Sequence, residues 1–146
     1  MKIGVMNGPN LGRLGIRLPE MYGSASWAEV AERLAAEFPS VEFVWFQSNH
    51  EGALIDELER WRDAGVSDVV INPGALTHQS FALRDAIEGL GYRAVEVHIS
   101  NVHRRERFRH RSVTAPAMAG QIVGLGVDGY RLAVDYLVRV ASQQQV

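Results

Sequence analysis

Val69-Val70-Ile71-Asn72-Pro73-Gly74-Ala75-Leu76-Thr77-His78 opens on a β-branched apolar run and closes on residues that break regular structure. Branched side chains suit a pleated surface, and a run without polar alternation leaves neither face to water, so the segment reads as a short buried strand. Asn72-Pro73-Gly74 ends it, and beyond a polar connection Leu83, Ala86, Ile87 and Leu90 recur at helical spacing. Strand, loop and helix therefore follow one another within residues 69–90.

The same unit repeats along the chain. Residues 2–6 form a strand ended by Asn7-Gly8-Pro9-Asn10. Ser26 with Glu29 makes a capping box for a helix whose apolar side is Trp27, Val30, Leu34 and Phe38, stopped by Pro39. Residues 41–46 are a second strand. Ser48 with Glu51 repeats the capping pattern ahead of Leu54, Leu58 and Trp61, before Gly65. Residues 93–99 are a fourth strand, 103–111 are irregular or a short helical turn, and 121–123 are a fifth strand. Tyr130, Val134, Leu137 and Ala141 line the last helix, and the polar tail 143–145 is expected to fray. Alternation of this kind predicts an α/β protein: a flavodoxin-like, doubly wound, five-stranded parallel sheet with helices on both faces.

Length and composition fit that architecture. The 146 residues fall within the roughly 100–200 of one domain, so residues 1–146 are expected to form a single flavodoxin-like domain. Apolar residues at 47% and charged residues at 22% are ordinary for a soluble globular chain. Cysteine is absent, which excludes disulfides and thiolate metal ligands. Fifteen cations against seventeen carboxylates give a net charge of −2, so bulk attraction to nucleic acid or to a membrane surface is not expected. Lys2 is the only lysine, at the extreme N-terminus, and Schiff-base chemistry is set aside on that ground. No apolar run approaches the ~18 residues of a membrane span, and a cytoplasmic protein is the default expectation.

Ligands of open α/β sheets bind beyond the carboxyl ends of the strands. Polar residues gather there: Asn7 and Asn10 after the first strand, Gln47-Ser48-Asn49 after the second, Asn72, Thr77 and His78 after the third, Glu96, His98, Ser100 and Asn101 in or after the fourth. Loops are polar in any case, but strand four resists that reading. Its period of two puts Glu96 and His98 on one face and Val95, Val97 and Ile99 on the other. A carboxylate and an imidazole inside a buried strand need partners, and each suits the other.

Other motifs carry less. Gly124-Leu125-Gly126-Val127-Asp128-Gly129 matches the dinucleotide fingerprint by letter, yet it follows the last strand rather than the first, and glycines for close helix-on-sheet packing explain it better. His-Glu-x-x-His, a Walker loop and Gly-x-Ser-x-Gly are all missing from the sequence. Arg104, Arg105, Arg107, Arg109 and Arg111 read three ways, as a solvated face, an RNA patch or a small-anion clamp; the scarcity of interleaved aromatics disfavours RNA. The segment 10–23 exceeds the 2–6 residues usual for a βα connection. It brings Arg13, Arg17 and Tyr22 over the strand ends, has glycines that allow movement, and reads as a lid. A tyrosine titrating near pH ~10 is a poor base at neutrality unless neighbouring cations favour its phenolate.

Asn7-Gly8-Pro9-Asn10-Leu11-Gly12, Arg17-x-Pro19-x-x-Tyr22-Gly23, Gln47-Ser48-Asn49-x-Glu51-Gly52, Asn72-Pro73-Gly74-Ala75-x-Thr77-His78 and Glu96-Val97-His98-Ile99-Ser100-Asn101-Val102, followed by Phe108-Arg109-His110 and Gly124-Leu125-Gly126, together resemble the type II 3-dehydroquinate dehydratases. The blocks occur in order over essentially the whole chain. The resemblance implies a carbon–oxygen lyase that converts 3-dehydroquinate to 3-dehydroshikimate by anti elimination of water through an enolate. It implies no cofactor and no metal, and a place in the shikimate pathway or in quinate breakdown.

By the same resemblance, Tyr22 is the base that takes the C2 proton, kept anionic by Arg17; Asn10 stabilises charge developing near the C3 oxygen; and His98, aligned by Glu96, protonates the departing C1 hydroxyl. Asn72, His78 and Arg109 match contacts to substrate hydroxyls, while Ile99 and Ser100 match the holders of its carboxylate. Asp85 matches an aspartate that reaches a neighbouring subunit's site, which implies a homo-oligomer, a dodecamer built from trimers. The sequence departs from the common pattern at Leu76, at Arg111 and along Val113-Thr114-Ala115-Pro116. The last two lie beyond the site residues and are expected to bear on subunit contacts or lid support rather than on chemistry. Two rival readings stand beside the enzyme: a flavodoxin-like flavin- or nucleotide-binding module, and a catalytically silent relative.

Overall fold

The computed structural model describes residues 1–16 and 18–143. Its elements are β1 (Lys2–Asn7), α1 (Pro19–Tyr22), α2 (Trp27–Glu37), β2 (Glu42–Gln47), α3 (Glu51–Asp63), β3 (Asp68–Asn72), α4 (Phe81–Leu90), β4 (Arg93–His98), β5 (Gly120–Val123) and α5 (Asp128–Gln143). The strands form one sheet in the order β2-β1-β3-β4-β5, and every adjacent pair is parallel. This is the flavodoxin-like order, and the chain changes direction between β1 and β3, where such sheets open a crevice at their carboxyl edge. Among the described residues no helix is long and apolar enough to cross a membrane.

Two apolar layers flank the sheet. On one face Val30 and Leu34 of α2 and Tyr130, Ala133, Val134 and Leu137 of α5 pack on Ile3, Val5, Val70, Val95 and Val97. On the other, Leu54, Leu58 and Trp61 of α3 and Leu83 and Ile87 of α4 cover Met6, Val69, Ile71 and Ala94. The expected division of β4 holds, with Val95, Val97 and Ile99 in the first layer. Glu96 and His98 lie on the opposite side, toward the open end of the sheet.

The capping box at α2 is present in both directions, Glu29 N–H to Ser26 Oγ at 3.3 Å and Ser26 N–H to Glu29 Oε2 at 3.2 Å. The second expected box does not form. α3 begins at Glu51 with His50 as its cap, so Glu51 sits one residue into the helix rather than three. Ser48 Oγ accepts from His50 N–H at 3.0 Å, and the Glu51 carboxylate accepts from Ser80 Oγ at 2.5 Å, tying α3 to the start of α4. Residues 103–111 contain two short 3₁₀ turns, Val102–Arg104 and Arg107–His110. Of the tail expected to fray, residues 144 and 145 lie outside the described residues.

Glycines of the fingerprint-like turn serve packing: a Cβ on Gly129 would sit 3.0 Å from Val97 Cγ1, so its absence lets α5 approach β4. Gly8 has a sharper role. Its N–H donates to Asn72 O at 2.8 Å, and a Cβ there would lie 2.3 Å from Pro73 O, a backbone atom that cannot swing away. The loops after β1 and β3 are thus pressed together at the crevice. Gly8→Ala should lower stability by about 1–3 kcal/mol, read as an earlier urea midpoint, and should weaken any ligand held between the two loops.

Candidate active site

Beyond the carboxyl ends of β1, β3 and β4 lies a cavity of about 250 Å³. Asn10, Tyr22, Asn72, His78, His98, Ile99, Ser100 and Arg109 all line it, as expected from the sequence. Glu96 is fully buried behind His98. Arg17 lies outside the described residues. Asp85 is exposed on α4 and does not line this cavity.

The strand-end pair is bonded: His98 Nε2 and Glu96 Oε1 are 2.7 Å apart. Burial would push the Glu96 carboxyl up, but the hydrogen bonds from His98 and Thr114, the charge of His98 and the hydroxyl of Thr77 pull it down to about 2. The carboxylate also accepts from Ser112 and Gln121. Thr114 belongs to the stretch expected to affect only subunit contacts or lid support, and its contact with Glu96 corrects that expectation. The turn at Ala115–Ala117 folds residues 112–114 back over the end of β4, and Ser112 Oγ accepts from Ala115 N–H at 2.8 Å within it.

A second buried network fixes Asn72. Tyr130 OH donates to Asn7 Oδ1 at 2.7 Å, so it must accept from Asn72 Nδ2 at 2.9 Å. Asn72 Oδ1 accepts from Gly74 N–H at 3.1 Å. Both ends of the amide are engaged, which prevents it from turning over and leaves one N–H for the cavity. Burial pushes the Tyr130 phenol well above its ordinary range, against the opposing effect of the Asn72 bond, so it stays protonated and keeps this polarity.

The long segment after β1 is folded rather than loose. Asn10 adopts a left-handed conformation, φ 70°, which asparagine tolerates better than most residues, and its N–H donates to Asn49 Oδ1 at 2.9 Å. Trp27 Nε1 hydrogen-bonds to Leu11 O, anchoring the segment to α2. Tyr22 ends α1, and Arg105 Nη1 donates to its hydroxyl at 3.0 Å and to Ser100 Oγ at 3.1 Å. Among the described residues Arg105 Nε is buried with no hydrogen-bond partner. A buried unpaired donor on a cation is a place for an anion. Arg109 is held on the surface side by Glu106 at 3.1 Å and stacks on Phe108 at 4.6 Å, while His78 Nδ1 lies 2.7 Å from Arg111 O.

Sequence reasoning missed Arg105 as an individual, along with the donors around Glu96. Arg105 stood within the flagged arginine cluster, but it lies in the bend between two short 3₁₀ turns, where no regular period singles it out. Among the described residues there is no cluster of three or more His, Cys, Asp and Glu side chains placed to hold a metal ion.

Known proteins resemble this chain in sequence and fold. The family described as "Dehydroquinase class II" matches residues 1–138. Proteins named 3-dehydroquinate dehydratase from Bacillus pumilus and from Chlorobaculum tepidum are each 55% identical to the chain, over 136 and 135 residues, with 92% of this chain covered in both and 92% and 91% of the relatives. The crystal structure of a type II dehydroquinase from Butyrivibrio crossotus superposes with a TM-score of 0.90 at 48% identity, covering 94% of this chain and 97% of that one. With fold and sequence likeness in agreement over nearly its whole length, the chain belongs to the class II dehydroquinase family.

Proposed function

We propose that the chain is a 3-dehydroquinate dehydratase whose elimination is carried out between Tyr22 and His98. The observation that carries the assignment of roles is that both side chains line one cavity, each with a charged partner of opposite kind: Arg105 on Tyr22 and Glu96 on His98. The family membership and the named relatives support the substrate.

In the proposed step the Tyr22 phenolate oxygen takes the proton from C2, and the electron pair moves into an enolate whose charge sits on the C3 oxygen near Asn10. The enolate then re-forms the carbonyl as the C1–O bond breaks, and His98 gives its proton to the departing oxygen, which leaves as water. Arg105 Nη1 donates to the Tyr22 oxygen at 3.0 Å and orients it. Ionised Glu96 favours a proton on His98 Nε2 and stabilises the imidazolium from which the acid acts. Asn72, held by Tyr130 and Gly74, offers its remaining N–H to a substrate hydroxyl, with His78 and Arg109 serving the same end. Ile99 and Ser100 hold the substrate carboxylate, and the Arg105 guanidinium, whose Nη1 donates to Ser100 Oγ at 3.1 Å, adds its charge there. Arg17 is proposed to join Arg105 over Tyr22. A homo-oligomer, a dodecamer of trimers, is proposed to bring Asp85 to a neighbouring cavity. A flavin- or nucleotide-binding role has no observation in its favour.

Tyr22→Phe should reduce kcat by about 10²–10⁴-fold with an unchanged melting temperature, followed by the absorbance of the conjugated product. Arg105→Gln should lower kcat/KM at pH 7 by about tenfold or more, since it removes the cation 3.0 Å from the phenol oxygen. Glu96 also marks stability. Its carboxyl is depressed from 4.5 to about 2, so its stabilisation is fully present above pH 4.5 and is lost as pH falls toward 2. Glu96→Gln should therefore be less stable than the native protein at pH 7, and urea melts should show the gap closing across that acidic window.

A further inference from the structure

Glu96 holds more donors than its partnership with His98 requires. Oε1 accepts from Thr77 Oγ1 at 2.8 Å, Ser112 Oγ at 2.9 Å and Gln121 Nε2 at 2.7 Å, and Oε2 accepts from Thr114 Oγ1 at 2.6 Å. The three hydroxyls also touch one another, Thr77 to Ser112 at 2.7 Å, Thr77 to Thr114 at 2.9 Å and Ser112 to Thr114 at 3.2 Å. A hydroxyl can accept as readily as it donates. Hydroxyls alone would therefore solvate a neutral Glu96, by turning their protons toward one another, almost as well as they solvate the anion. Gln121 could do so only by turning its whole amide over; as it lies, its nitrogen donates to Oε1 and suits the anion. Strand register is what delivers it, because Glu96 of β4 pairs directly with Gln121 of β5.

We infer that Gln121 and Thr114 are positioning residues for the acid–base step. They lock Glu96 as an anion aimed at His98 Nε2, keep the proton on that nitrogen, and leave Nδ1 as the ring nitrogen available to the cavity. The inference deepens the dehydratase reading and rests on it for its kinetic consequence. β3 sets Ile71 beside Glu96, the turn after β3 contributes Thr77, the 112–114 segment contributes Ser112 and Thr114, and β5 contributes Gln121. Among the described residues His98 is the one titratable side chain hydrogen-bonded to Glu96. Around His98 the cavity presents the titratable or charged groups of Arg13, Tyr22, His78, Arg105 and Arg109.

The test follows the Glu96 carboxyl by ¹³C NMR through a pH titration, and kcat and KM at pH 7, in the native protein, Gln121→Leu, Thr114→Val and Thr114→Ser. Gln121 is exposed on the edge strand, so its replacement leaves the core intact, and Thr114→Val preserves shape. Expected is a Glu96 titration raised by about one pH unit in Gln121→Leu and in Thr114→Val, with kcat lowered at pH 7 and KM little changed. Thr114→Ser, which keeps the hydroxyl, should behave as native. Should Thr114→Val fail to fold, Gln121→Leu decides. A Glu96 titration that stays at its native position in Gln121→Leu overturns the inference, as does an unchanged kcat beside a raised titration. The NMR arm needs no turnover: raised titrations in a protein that fails to dehydrate 3-dehydroquinate would refute the dehydratase reading while supporting the lock on Glu96.

Discussion

A carboxylate fully buried at the end of a central strand is the constraint around which the carboxyl edge of this sheet is organised. An ion taken out of water costs several kcal/mol unless its lone pairs are met and its charge is answered. Glu96 is answered by His98 in its own strand, and by side chains that arrive from β5, from the turn after β3 and from the segment that precedes β5. The 112–118 connection therefore does more than join two strands. It closes over the anion, and Val113 N–H bonds to Thr77 O at 2.7 Å to hold it there.

The second constraint lies at the crevice where the strand order reverses. Gly8 lets the first loop touch Pro73 of the third, and beneath them Asn7, Tyr130 and Asn72 form a chain of hydrogen bonds with a fixed direction. A phenol that stays protonated can donate in only one direction, which decides which end of the Asn72 amide faces it. The same turn of glycines that mimics a nucleotide fingerprint supports this edge differently. Gly124 N–H donates to His98 O and Gly126 N–H to Ile99 O, each at 3.0 Å, bracing the backbone that bears the imidazole.

Much of this was legible in the sequence because it is local. Five strands, four of them followed by a helix, recur along the chain, and Glu96 with His98 breaks an apolar strand at a spacing of two, which no loop explanation accommodates. The capping signal failed at Ser48 because Glu51 had a better partner in Ser80, 29 residues away, and tertiary contacts override a local pattern worth only about 1 kcal/mol. Tyr130 and Asn7 are separated by 123 residues, Thr114 and Glu96 by 18. Nothing in either neighbourhood marks them as partners. Arg105 was hidden by abundance, one arginine among several, until the fold turned its guanidinium toward Tyr22 and Ser100.

Tyr22 and His98 enter the cavity from different layers, the first on a helix laid over the strand ends and the second from the strand floor. The anti elimination proposed for this site needs its base and its acid on opposite faces of the substrate ring, and a helix above a β-strand supplies two faces. The charges are matched to that division. A base is more effective when its anionic form is favoured, and the lid-side group meets a guanidinium; an acid that works as a cation is helped by a fixed anion, and the floor-side group meets Glu96. Exchanging the two partners would oppose both tasks at once. The arginine can sit part-buried at the cavity wall because its charge survives any working pH, whereas the carboxylate has to be buried and surrounded by donors for its own charge to be equally constant.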